Sequence, residues 1–143
     1  MANRSFSPLA GSVKKGVIKL FGKFLTTTSG TLDTTAANFT SLKKAGFTLT
    51  KVAGTGRYGV QLGLSATNPD KYQGLLAVHA VPNGATTAAY TTAKGMHAFP
   101  RNVAVSTTGY FEIQFARTDT MADAEVEDGA TIYIEITLDN SSV

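Results

Sequence analysis

Residues 47–63 read FTLTKVAGTGRYGVQLG, and within them Gly54, Gly56 and Gly59 fit the pattern G-x-G-x-x-G. That pattern marks a dinucleotide-binding turn only where a strand enters the glycines and a helix leaves them, with the helix N-terminus holding the pyrophosphate and an acidic residue about 20 positions on holding the ribose. Here Phe47 to Val52 alternates with period two, and so does the exit, with Tyr58, Val60 and Leu62 on one face. Gly59 and Gly63 disfavour a helix there, and the acidic residue nearest the required offset, Asp70, sits in the turn signal Asn68-Pro69-Asp70. The stretch therefore predicts a β-hairpin whose glycines serve the turn, with no nucleotide and no other cofactor.

The same period recurs outward along the chain. Val17 to Leu25 predicts an early strand. Leu75 to Val81 is a continuous apolar run that predicts a strand buried on both faces or at an interface. A short strand is expected at Val103–Val105. Tyr110 to Ala116 places Phe111, Ile113 and Phe115 inward, and the close of the chain sets Ile132, Ile134, Ile136 and Leu138 against Thr131, Tyr133, Glu135 and Thr137. Residues 26–46 are polar, with a helical turn considered at Ala36–Leu42, and residues 82–100 read as a long loop. Many short strands, frequent turn signals and no strong helix predict an all-β, single-domain β-sandwich over residues 15–143.

Residues 1–14 read instead as an extended N-terminal arm, broken by Pro8 and Gly11. Its expected role is docking on a neighbour, with Phe6 and Leu9 as apolar anchors, Arg4 as a charged one, and Lys14 and Lys15 completing the set of interface candidates.

The 143 residues are 43% hydrophobic and 16% charged, enough apolar content for a core beneath a weakly charged surface. The absence of cysteine excludes disulfides, thiolate catalysis and Cys-ligated zinc. The first residues carry no apolar run of a secretory leader, and no apolar stretch is long enough for a membrane span. Charge is split: residues 1–71 carry a net +8 and residues 72–143 a net −5. The thin spacing of the lysines and the lack of interleaved aromatics speak against nucleic acid, whereas the split suits subunits that meet positive to negative.

Candidate chemistry is sparse. His79 lies in an apolar strand, as a buried or interface residue, and His97 falls on a loop. The acidic run Asp119–Gly129 lacks an EF-hand spacing and reads as a solvated connection. Glu112 and Glu135 could form a carboxylate pair on adjacent strands, as glycoside hydrolysis needs, or simply face solvent. No nucleophile elbow or metal-ligand spacing occurs, so a small hydrolase is the weakest reading and no enzyme is expected.

Met1-Ala2-Asn3-Arg4, KKGVIKLFGKF at 14–24, GRYGVQL at 56–62, YQGLLAVHAV at 72–81 and DGATIYIEITLDNSSV at 128–143, in that order, resemble the small virion structural proteins of tailed bacteriophages, in particular the capsid cement or decoration proteins. The resemblance implies a jelly-roll-like fold, no catalytic residues, and a place on the outer surface of the capsid after synthesis in the host cytoplasm. It also implies the major capsid protein and the chain itself, as homodimer or homotrimer, for partners. A tail-associated module that binds surface carbohydrate through Tyr90, Phe99 or Tyr110 is the alternative.

Overall fold

The computed structural model describes residues 10–14, 16–33, 46–65, 68–69, 72–83 and 95–140. Among these described residues there are nine strands: β1 Ala10–Lys14, β2 Val17–Leu25, β3 Phe47–Lys51, β4 Arg57–Ser65, β5 Asn68–Pro69, β6 Gly74–Asn83, β7 Met96–Ala104, β8 Tyr110–Arg117 and β9 Thr131–Asp139. They form two antiparallel sheets, β1-β2-β9-β6 and β3-β4-β8-β7, with β5 paired to β4. The one helical element among the described residues is a 3-10 turn at Thr28–Gly30.

Alternation decides which side of each strand meets the core. Ile18, Leu20 and Phe24 of β2, Ile132, Ile134, Ile136 and Leu138 of β9, Phe47 and Leu49 of β3, Tyr58, Val60 and Leu62 of β4, and Phe111, Ile113 and Phe115 of β8 belong to one buried cluster. The sheets meet through it: the rings of Phe24 and Phe47 lie 5.7 Å apart between centroids. Gly22 makes that meeting possible, because a Cβ there would stand 2.6 Å from Cζ of Phe47. Within the second sheet Tyr58 and Phe115 pack edge to face at 5.7 Å, the geometry aromatic quadrupoles favour.

The opening hairpin is as the alternation predicts. β3 pairs with β4 from Phe47↔Leu62 to Lys51↔Tyr58, and Val52 N–H closes the connection on Arg57 O at 3.2 Å. Gly56 has φ 64°, and any side chain there would collide with the carbonyl oxygens of Ala124 and Phe115. The glycine thus lets the hairpin lie directly against β8 and the loop that follows it.

Several boundaries differ from the sequence reading. Ala10–Lys14, the end of the segment read as an arm, is paired antiparallel with β2, with a register shift between Ser12 and Lys14. The strand expected at Val103–Val105 begins earlier, at Met96, and takes in the last five residues of the expected loop: β7 pairs with β8 from Met96↔Arg117 to Ala104↔Tyr110. The helical turn considered at 36–42 and the central part of the 82–100 segment lie outside the described residues.

Candidate binding faces

The acidic run connects β8 to β9, and the carboxylates of Glu125 and Asp128 are engaged by the chain itself, while Glu127 Oε2 is buried without a hydrogen-bond partner. Glu125 accepts from Lys51 Nζ at 2.6 and 2.7 Å and from Gly56 N–H at 2.8 Å. The amide that a phosphate would need in the glycine turn is therefore already bonded to a carboxylate. Lys51 Nζ also stands 5.0 Å from the centre of the Tyr58 ring, and the Tyr58 hydroxyl donates to Gly30 O at 2.7 Å. Burial pushes this phenol well above its usual range, with Glu125 and Asp128 adding to the effect. At the far end of the loop the buried Thr26 hydroxyl accepts from Ala130 N–H at 3.0 Å and directs its proton to Glu127 O at 2.5 Å or Ala130 O at 3.0 Å. The loop is thus pinned at both ends. A groove of about 690 Å³ beside it is lined by Met96, Arg117, Asp123, Glu125 and Glu127 among others. Among the described residues no three His, Cys, Asp or Glu are grouped to hold a metal ion.

The outer face of the second sheet is polar but largely closed. Glu112 and Gln114 point away from the core side of β8, yet they are 7% and 0% exposed. Arg57 Nη2 donates to Glu112 Oε2 at 2.5 Å and the Tyr110 hydroxyl to Oε1 at 3.3 Å. Gln114 donates to Thr55 O at 2.8 Å and Phe115 O at 3.0 Å and accepts from Arg101 at 3.2 Å. The hydrogen bond from Arg57 holds the Glu112 carboxyl below its ordinary range, against the opposing effect of burial. Beside this network His97 stacks on Phe99 at 5.8 Å, and His97 Nδ1 is buried without a hydrogen-bond partner.

The outer face of the first sheet is open, with exposed apolar side chains interleaved with charged ones. Cross-strand register sets Lys23, Tyr133 and Val81 in one row and Phe21, Glu135 and His79 in the next. Phe21 is 40%, Val81 45% and Tyr133 48% exposed. These side chains, with Gly22, His79, Ile134 and Glu135, rim a shallow depression of about 280 Å³. Lys19 pairs with Glu135, and Lys23 Nζ stands 6.0 Å from the centre of the Tyr133 ring.

Four expectations about residues need correction or placement. Glu112 and Glu135 are not on adjacent strands: β8 and β9 belong to different sheets, and each carboxylate is on the outer side of its own sheet with the core between them, so they cannot flank one bond. β6 is not buried on both faces within this chain, and His79 is exposed, because nothing among the described residues covers that side. His97 sits in a strand rather than a loop. Of the interface candidates, Lys14 ends β1, while Arg4, Phe6, Leu9 and Lys15 lie outside the described residues. Sequence reasoning missed the Arg57–Glu112 and Lys51–Glu125 pairs, since each joins residues remote in the chain.

No family model matches the chain, and no match is found among curated proteins or solved structures. No helix among the described residues is long and apolar enough to cross a membrane.

Proposed function

We propose that this chain is a non-enzymatic structural protein of a tailed-bacteriophage virion: a cement or decoration protein that binds the major capsid protein lattice on its outer surface and stabilises it. In this reading the two sheets are a jelly-roll-like β-sandwich that associates with copies of itself, and residues 1–9, with Arg4, Phe6 and Leu9, reach a neighbouring subunit. The observation that carries the reading is the outer face of the first sheet. The fold already supplies one core between its sheets, yet Phe21, Val81 and Tyr133 remain turned to solvent, as expected of a unit whose work is adhesion. The ion pairs Lys51–Glu125 and Arg57–Glu112 suit a rigid building block.

Sedimenting the protein with purified capsids tests this. It should pellet with the particles, and part of it should be released at 1 M salt, where the Debye length falls to about 3 Å. Protein that stays in the supernatant beside intact capsids at low salt would refute the reading.

One observation favours a second reading, a tail-associated carbohydrate-binding module. Phe99 and Tyr110 flank the hydrogen-bonding groups of Arg101 and Gln114 on the second sheet, and aromatic faces beside amide and guanidinium groups suit sugar rings. Glycan titration against wild type and Phe99→Ala would distinguish it, since that side chain is not part of the first sheet.

A further inference from the structure

We infer that the groove beside the β8–β9 loop receives the segment at residues 1–9 of a second copy of this chain. This rests on the part of the proposed function in which that segment reaches a neighbouring subunit, and adds where on the neighbour it lands.

The groove offers both apolar and charged contacts. Its volume of about 690 Å³ falls within the ~300–1,000 Å³ of pockets that hold ligands. Met96, Ala122 and Ala124 supply apolar wall, and Arg117, Asp123, Glu125 and Glu127 supply charge. Three carboxylates stand against one guanidinium, and Lys51 takes up Glu125, which leaves one negative charge in excess. The Glu127 oxygen without a partner makes positive charge nearby favourable. At the lip, Met121 stands between the lining residues Thr120 and Ala122. It is 68% exposed, more than any other large apolar side chain among the described residues, and its φ is 56°. Left-handed backbone is costly for a residue other than glycine and persists only where its surroundings hold it. Here the turn is held by Met121 N–H on Arg117 O at 2.8 Å.

Residues 1–9 match this lining. Arg4 is their one charged side chain, and Phe6 and Leu9 are apolar. In an extended segment Arg4 and Phe6 fall on the same side, so one can meet the carboxylates while the other meets the methionine and alanine wall. Pro8 reduces the conformational freedom lost on docking.

The register of β1 decides whose segment enters. Ala10 is paired with Leu20, whereas the groove lies at the far end of β2, where Thr26 bonds the backbone of Glu127. From the level of Leu20 to that of Thr26 is about 20 Å along the strand. Phe6, four residues before Ala10, reaches at most about 14 Å. The groove wall at Met96 and Arg117 also belongs to the other sheet. A chain's own Phe6 therefore falls short of its groove, and a neighbour's is under no such restriction.

Cross-linking between two variants of the whole chain, with no capsid present, tests this. The chain contains no cysteine, so each introduced thiol is unique. Ser7→Cys chains mixed with Thr120→Cys chains and treated with a short bismaleimide should yield a product of twice 15.0 kDa, with residues 7 and 120 in the linked peptides by mass spectrometry. Thr107→Cys, in the exposed turn before β8 and so at the opposite end of that strand, should link to residue 7 severalfold less. Arg4→Glu in the Ser7→Cys chain should cut the yield severalfold, and Asp123→Lys in the Thr120→Cys chain should restore it. Equal linking at positions 120 and 107 overturns the inference, as does a yield indifferent to Arg4→Glu. So does a chain carrying both Ser7→Cys and Thr120→Cys that links only within itself and stays at 15.0 kDa. If Asp123→Lys fails to fold, Arg4→Glu still decides, since residue 4 precedes every described strand. Capsid binding without this cross-link would remove the inference and leave the virion reading, and the cross-link without capsid binding would do the reverse.

Discussion

On the second sheet, Glu112 and Gln114 point away from the core and are nevertheless shielded from water by Arg57, Arg101 and the backbone of Thr55. On the first sheet, Phe21, Val81 and Tyr133 point away from the core and stay in water. Polarity alone would predict the reverse. What differs is cover: the second face is overlaid by its own arginines and by the hairpin that Gly56 allows to lie flat, so Glu112 and Gln114 are buried with partners. The first face has no such cover among the described residues. A sheet has two sides, and this fold gives one side of each to a shared core, finishes one outer side internally and leaves the other uncovered among the described residues.

That contrast can be tested by where substitutions take effect. The largest loss should come from the shared core: Ile134→Ala, on the inner side of β9, should lower the unfolding free energy by about 2–5 kcal/mol in a denaturant titration. Next is the finished face. Glu112→Gln removes a charged acceptor from Arg57 and should cost about 1.5–3 kcal/mol in the same titration. Its pH dependence sharpens the point. Glu112 is held below its ordinary value of 4.5 in the folded state, so its stabilisation is complete above that value and is lost as pH falls through the lower folded value. Wild type should therefore lose stability on acidification over this window more steeply than Glu112→Gln. The smallest effect on folding belongs to the open face: Tyr133→Lys should leave monomer stability within about 0.5 kcal/mol while weakening association. A Tyr133→Lys monomer as damaged as Ile134→Ala would mean that this face is part of the fold's own core.

Much of the fold could be read from the chain because period two is a local signal. Tyr58, Val60 and Leu62, and Ile132 to Leu138, turn inward as their spacing predicts, and the glycine motif was legible as a hairpin from the alternation flanking it. β7 was harder to see: Pro100, Arg101 and Asn102 interrupt its apolar pattern, and the strand holds through its pairing with β8. For β6 the apolar run was legible but its cover was not, since whether a face is buried depends on what another element lays across it. The same limit explains the misplaced pair Glu112 and Glu135. Their strands look alike in sequence, and only long-range pairing assigns β8 to β4 and β9 to β2. The burial of Gln114 was equally out of reach, for its partners Arg101 and Thr55 come from two other segments.

The position of β9 between β2 and β6 carries a consequence for how the protein is made. Its contacts with β2 join residues as far apart as Val17 and Asp139, so the first sheet closes only once β9, which follows every other described strand, has been made. At ~5–20 residues per second, β2 and β6 wait several seconds without the strand that links them. Non-local closure of this kind is intrinsically slow, and in that interval the inner apolar sides of both strands stand without the strand that joins them. The time taken to add residues 84–139 then bears on how long β2 and β6 remain open to wrong pairing.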